Sequence, residues 1–406
     1  MTTKSLPGGV CAPQGFKAAG LHVGFRQNTE KPDLALILSD VNCAAAAVYT
    51  LNKVQGAPLG VTRQNIADGH ARGILCNSSN ANTCAPGGVQ LAQNCCKLLA
   101  DATALAPEDF VVASTGVIGQ VLPIEPFERG IPPLVSALSA DGCRDAAAAI
   151  MTTDTVMKEI ALEFTLGGVP CRMGAIGKGS GMINPNMATM LIFITTDVAI
   201  APALLQKALG DEVQLSFNQI TVDGDTSTND MVAVLASGLS GNAEITAPGA
   251  DYDAFCAVLS EVCVWMSRAI AADGEGATKL LECVVTGAPS DTLARLIAKT
   301  VVGSDLFKAA MFGADANWGR ALCAIGYTPG DLPVDHISVT LKSAAGQVQV
   351  CKESVHHPYS EDDAARILAE KEIGVLIDMG EGAGQGTAWG CDLTYDYVKI
   401  NGDYRS

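Results

Sequence analysis

The residues best suited to chemistry in this chain are a threonine at the mouth of a strand, a second threonine beside a glycine, and a few isolated charges. Thr189 stands where KGSGMINPN (178–186) gives way to an apolar, β-branched run ending at Thr196. Gly179, Gly181 and Pro185 make the first segment irregular, whereas the second reads as a strand buried on both faces. A threonine hydroxyl is a poor nucleophile until a base lies within hydrogen-bond reach. One solution places the threonine first in a chain, so that its own α-amino group is the base. With an ordinary pKa of about 7.7–8.0, that amine suits the task. Thr189 is internal, so the Ala188–Thr189 bond must first be cut. Attack of the Thr189 hydroxyl on the preceding carbonyl, followed by ester hydrolysis, would cut it without a second protein. Without that chemistry Thr189 is an ordinary strand residue.

Acyl transfer also needs donors for the oxygen that becomes negative in the tetrahedral intermediate. FVVASTGVIGQVLP (110–123) offers a strand ending in Ser114-Thr115-Gly116, where a hydroxyl adjoins a backbone N–H that can be approached closely. The same pattern serves any strand exit. Glu275 sits between glycines in DGEGATK (273–279); it is either a solvated turn residue or the partner of an ammonium. NSSNANTCAPG (77–87) crowds small amides and hydroxyls into what is a solvated turn on its own evidence. DGDTSTND (223–230) suggests a calcium loop but has no Glu at the twelfth position, so no metal is expected.

GKGSGMINPNMATML (177–191) resembles the signature of the ornithine acetyltransferase family, also called glutamate N-acetyltransferase. Similar segments run in the family's order from Gly9 to Ser406. The resemblance implies self-cleavage between Ala188 and Thr189, giving chains of 188 and 218 residues, with Thr189 as nucleophile and Thr115 and Gly116 as the oxyanion hole. It implies that Thr152, Lys178, Thr189, Glu275, Asn401 and Ser406 bind substrate, that the 77–87 segment lies beside the active site, and that 223–230 buttresses the new N-terminus. The implied reaction moves acetyl from N2-acetyl-L-ornithine to L-glutamate in arginine biosynthesis, with no cofactor; whether acetyl-CoA also serves as donor is left open. Lys178 suits the substrate α-carboxylate and Glu275 the ornithine ammonium. The implied fold is α/β (α+β), a layered sandwich of β-sheets between helices of the DmpA-like type. The implied assembly is a heterotetramer of two α and two β chains. Residues 1–188 and 189–406 would be those chains, with 189–283 completing the catalytic core and about 284–380 a smaller α/β lobe. The C-terminus departs from the family pattern, with Ser406 where Thr is commoner and Gly402 where Ala is commoner. Two other readings stay open: a self-processing amidohydrolase or aminopeptidase on a related scaffold, and a non-enzymatic small-anion-binding module.

The elements that must position these residues follow from periodicity. DLALILSD (33–40) and RGILCN (72–77) read as strands, and 89–105 as a helix with Val89, Ala92, Cys96, Leu99 and Ala102 inward. DGCRDAAAAIM (141–151) is an Ala-rich helix, and 161–166 and 169–176 form a hairpin across Gly167-Gly168. A helix is expected near 201–210, and strands on either side of 223–230. The stripe Phe255, Val258, Leu259, Val262, Trp265, Met266, Ala269 and Ile270 marks a core helix over 251–272. A helix at 291–301, a hairpin over Ala344-Ala345-Gly346, a helix capped by Ser360, and strands at 374–380 and 391–401 complete the reading.

The charge balance, 26 basic against 43 acidic residues and a net −17, repels nucleic acid and anionic membrane, so neither is an expected partner. The 14 cysteines form no CxxC pair and the five histidines no HExxH, so neither a disulfide framework nor zinc is indicated. No secretory h-region or apolar run of membrane-span length is evident, which points to the cytoplasm. GAIGKGS (174–180) fails as a phosphate loop because Arg172 and Gly179 occupy required positions, and MGEGAGQG (379–386) fails as a dinucleotide fingerprint at Gln385.

Overall fold

The computed structural model describes residues 2–185 and 190–403. Ala188, Thr189 and Ser406 therefore lie outside the described residues. The chain divides into two compact units, one of Met1–Gly179, Asn186–Phe217 and Thr226–Met266, the other of Ser180–Pro185, Asn218–Asp225 and Ser267–Ser406.

The described strands, in chain order, are β1 (Lys4–Ser5), β2 (Phe16–Leu21), β3 (Leu34–Tyr49), β4 (His70–Asn77), β5 (Phe110–Ser114), β6 (Lys158–Leu166), β7 (Val169–Lys178), β8 (Leu191–Thr196), β9 (Ile220–Thr221), β10 (Met231–Ala236), β11 (Leu280–Ala288), β12 (Ser338–Ser343), β13 (Gly346–Lys352), β14 (Val355–His356), β15 (Glu372–Asp378) and β16 (Gly384–Cys391). The first unit holds a sheet in the order β1-β6-β7-β8-β10-β3-β4-β5, with β2 also paired to β3. β3 is far longer than the sequence suggests. Its first half pairs with β4, its second half with β10, and the register with β4 shifts between Leu38 and Cys43. Such an irregularity bends a strand and increases its twist.

Alternation along β3 sends Ala35 and Ile37 to one face and Leu34 and Leu36 to the other. Ala146, Ala147 and Ile150 of helix Cys143–Ile150 cover the first face. Helices Gly88–Thr103 and Glu125–Ser136 cover the second with Leu99, Ile131 and Leu134. β8 and β10 are buried at every position, as their unbroken apolar runs require; each large aliphatic side chain so buried is worth about 1.5–3 kcal/mol.

In the second unit the order is β14-β13-β12-β15-β11-β16-β9, and helices Asp291–Val302, Asp305–Phe312, Trp318–Gly326 and Glu361–Leu368 share one core with it. The Ser360 hydroxyl accepts from the Asp363 N–H, the expected cap. The α/β class is thus as expected, with sheets packed against helices.

Several local expectations need correcting. Residues 391–401 are not a strand: β16 ends at Cys391 and Tyr395–Gly402 is helical. The alternation there is misleading because Tyr395 and Val398 stay exposed, while Asp396 and Lys399 sit at the ends that suit a helix dipole. The strands expected on either side of 223–230 are present, but they belong to different sheets. β9 joins β16 in the second sheet, and β10 lies between β8 and β3 in the first. Lys178 is the last residue of β7 rather than part of the irregular segment. Val89 and Trp265 point outward, since a stripe's edges face solvent. Helix Ala250–Ala272 is, by length and composition, apolar enough to cross a membrane. Its Phe255, Val258, Leu259, Val262, Met266 and Ile270 are instead buried within the protein.

Candidate active site

In the first unit the site residues converge on Lys178. Its ammonium donates to the Thr115 hydroxyl oxygen at 3.1 Å, and both residues are buried. A hydroxyl that accepts from a cation keeps its own proton free to donate elsewhere. The Thr115 and Val117 N–H groups are used by the Asn77 and Ser79 carbonyls; among the described residues the Gly116 N–H has no such acceptor. Gly116 has φ +129°, and a side chain there would collide with the Ser79 carbonyl, so only glycine permits this turn. A hydroxyl and a backbone N–H thus stand side by side as donors, the arrangement an oxyanion requires.

The Asn-rich segment is no solvated turn. Asn77, Asn80, Asn82 and Thr83 are buried. The Ser114 hydroxyl donates to the Asn77 side chain at 2.6 Å. Asn229, from the 223–230 motif, donates to the Ala81 and Ser114 carbonyls at 2.6 and 3.0 Å and accepts from the Thr83 hydroxyl at 2.6 Å. This motif therefore braces the strand exit that carries Thr115.

Sequence reasoning missed Asp154 and Asp230. Asp154 takes the Lys158 ammonium at 2.8 Å and the Gly179 N–H at 2.7 Å on one oxygen, and the Thr152 N–H at 3.0 Å on the other. It thereby ties the half-buried Thr152 to the residue after Lys178. Burial opposes its ionisation, but the charges of Lys158 and Lys178 and the bonds from Lys158 and Gly179 prevail, holding its carboxyl at about 2. Asp230 precedes β10 and is fully enclosed, and its Oδ2 has no hydrogen-bond partner among the described residues. Burial pushes its carboxyl well above the carboxylate range, against the pull of the Ser227 bond and the Lys178 charge. Two buried carboxyls in opposite states thus feel the Lys178 charge. Asp154 stands at the local i,i+4 spacing from Lys158, and Asp230 closes the 223–230 motif, but the Lys178 charge that both feel comes from a residue distant in sequence.

In the second unit Glu275 is buried, not solvated. Its N–H donates to the Ser180 carbonyl at 3.0 Å, and its carboxylate accepts from the Asn401 amide at 2.7 Å. A side chain at Gly181 would run into the Glu275 carboxyl. Asn401 reaches this position from a helix, not from an extended tail. Among the described residues no group of three or more His, Cys, Asp or Glu is placed to hold a metal ion.

A sequence model of the ArgJ family matches residues 17–406. The arginine biosynthesis bifunctional protein ArgJ of Symbiobacterium thermophilum is 49% identical over 403 residues, covering 99% of each chain. That of Geobacillus kaustophilus is 47% identical over 406 residues, covering 100% of this chain and 98% of the relative. A crystal structure of the arginine biosynthesis bifunctional protein ArgJ from Bacillus halodurans aligns with a TM-score of 0.50 at 46% identity, over 52% of this chain and 97% of that one.

Proposed function

The chain belongs to the ArgJ family, and from that premise we propose how its residues transfer an acetyl group from N2-acetyl-L-ornithine to L-glutamate. It is an acyltransferase of arginine biosynthesis, and family membership displaces both the amidohydrolase and the anion-binding alternatives. The observation that carries the residue assignment is the Lys178–Thr115 bond beside a Gly116 N–H that has no acceptor among the described residues.

Maturation comes first. The Thr189 Oγ adds to the Ala188 carbonyl carbon, the C–N bond breaks, and the hydroxyl proton passes to the nitrogen. Water then hydrolyses the ester, leaving an Ala188 carboxylate, a restored hydroxyl and a free Thr189 amine. A solved relative's chain, matched over 97% of its length by 52% of this one, is in keeping with a cut product of 218 residues from 406.

In the mature enzyme the Thr189 amine takes the hydroxyl proton as Oγ attacks the acetyl carbonyl of acetylornithine. Thr115 and the Gly116 N–H hold the oxyanion; ornithine leaves with the proton. Glutamate enters, its amine attacks the ester, and N-acetylglutamate departs. Lys178 receives the α-carboxylate shared by both substrates, Glu275 the ornithine ammonium, and Thr152, Asn401 and Ser406 complete substrate binding. The relatives are called bifunctional, which supports acetyl-CoA as a second donor for glutamate. The cleaved chains stay paired as a heterotetramer of two α and two β chains, and the cytoplasm is their expected place.

Covalent exchange gives parallel initial-rate lines with varied glutamate and acetylornithine; intersecting lines would refute it. Thr189→Ala gives one uncut, inactive chain of 41.8 kDa.

A further inference from the structure

Asp230 lies in the first unit, at the end of the 223–230 motif, and its side chain is shut in. The residue is 3% exposed, and its Oδ2 is sealed from solvent with no hydrogen-bond partner among the described residues. The backbone on either side is pinned. The Asn229 amide donates to the Ala81 and Ser114 carbonyls at 2.6 and 3.0 Å. The Asp230 carbonyl accepts the Thr50 N–H at 3.1 Å, and the Met231 N–H donates to the Met190 carbonyl at 2.9 Å. The carboxyl therefore cannot swing out to water, and a buried carboxylate oxygen without a donor is costly. An acid so placed keeps its proton.

The charges nearby give that neutrality a consequence. Lys178 is the charged residue that acts on Asp230; with the Ser227 hydroxyl it favours ionisation, and burial prevails over both. The other groups around Lys178 come from separate elements. Asp154 precedes β6 and Lys158 opens it, while Cys76 on β4 is acted on by both Lys178 and Arg26. Burial pushes the Cys76 thiol up to about 12, so it adds no charge. Asp154 is ionised and takes the Lys158 ammonium at 2.8 Å, whereas Lys178 bonds to a neutral hydroxyl, that of Thr115. With Asp230 neutral, the Lys158 and Lys178 ammoniums face one carboxylate, and a positive charge is left over. An ionised Asp230 would cancel it.

We propose that Asp230 is a positioning residue that sets the charge of the carboxylate subsite: as the neutral acid it leaves the Lys178 ammonium to the substrate α-carboxylate, and as the anion it takes that ammonium away. This rests on the assignment of Lys178 to the α-carboxylate. Asp230 acts through Lys178 and does not itself meet the substrate. The acid is neutral at low pH and charges as pH rises, so preference for a carboxylate-bearing substrate is lost on the alkaline side.

The test compares kcat/KM for N2-acetyl-L-ornithine with that for its α-carboxamide, in matured wild type and Asp230→Asn, from pH 6 to pH 10. Both substrates carry the same acetyl group and the same ammonium, so titration of the Thr189 amine cancels in the ratio. The wild-type ratio should fall by about tenfold or more towards the alkaline end, while Asp230→Asn should hold the ratio that wild type shows at pH 6. The role of Asp230 is overturned if the wild-type ratio is large but independent of pH, or if both enzymes fall together. A wild-type ratio near one at every pH overturns the Lys178 assignment, and the proposal with it. Should Asp230→Asn not fold, Ser227→Ala carries the comparison. Loss of the hydroxyl that favours the anion should move the fall to higher pH, and an unmoved profile overturns the proposal.

Discussion

Lys178 and Thr115 touch, at 3.1 Å, although they end strands that four others separate in the sheet order. Lys178 closes β7 and Thr115 follows β5, with β8, β10, β3 and β4 in between. Laid flat at about 4.8 Å per strand, the two would be far out of reach. The sheet must curl, and the register break in β3 between Leu38 and Cys43 is where it can. Residues from strands far apart in the sheet order thus meet at one hydrogen bond.

Thr115→Val removes the hydroxyl, keeps the shape, and leaves the Lys178 ammonium without its acceptor. In matured protein kcat should fall by about 10²–10³-fold, the usual effect of losing one oxyanion donor, with KM little changed. A raised KM with kcat intact would assign Thr115 to ground-state binding instead.

Asp154 should separate structural from positioning roles. Asp154→Leu alone strands a buried Lys158 and should cost about 3–5 kcal/mol in urea unfolding. Pairing it with Lys158→Met should recover much of that loss, since apolar replacements of buried ion pairs are tolerated. KM for both substrates should stay raised in the double variant, because the Thr152 and Gly179 N–H groups have lost their shared acceptor. A wild-type KM there would reduce Asp154 to packing.

Two carboxyls give opposite pH signatures. The Asp154 pKa is depressed from 3.8 to about 2, so its contribution is full above pH 3.8 and is lost as pH falls through about 2. Glu212 is raised from 4.5 to about 7, first by burial and also by Asp211, against the Ser260 bond, and its Oε1 has no partner among the described residues. Its contribution is full below pH 4.5 and is lost as pH rises through about 7. Glu212→Gln should therefore match wild type near pH 4 and exceed it at pH 8 by on the order of 2–3 kcal/mol, read from denaturant midpoints.

The cut chains should not come apart. With the proposed cut before Thr189, β8 and β10 would belong to the C-terminal product; they lie between β7 and β3 of the N-terminal one, hydrogen-bonded on both sides. Gel filtration in native buffer should keep the two products in one peak, and only denaturant should release them. Dissociation at native conditions would contradict the strand order.

Local sequence was enough for the elements whose signal is local. The 161–176 hairpin, the Ser360 cap, the core stripe of helix Ala250–Ala272 and the buried run of β8 all follow from periodicity, turn residues and capping within a few positions. The family signature around Ala188 and Thr189 was equally legible. Tertiary structure alone decided what depends on remote partners. It took β9 and β10 into different sheets, made 395–402 a helix, and buried Glu275 with its carboxylate on the Asn401 amide. It also created the Asp154 and Asp230 environments around Lys178. The physical reason is that backbone preference is set by neighbours along the chain, whereas desolvation and charge pairing are set by whatever the folded sheet brings near.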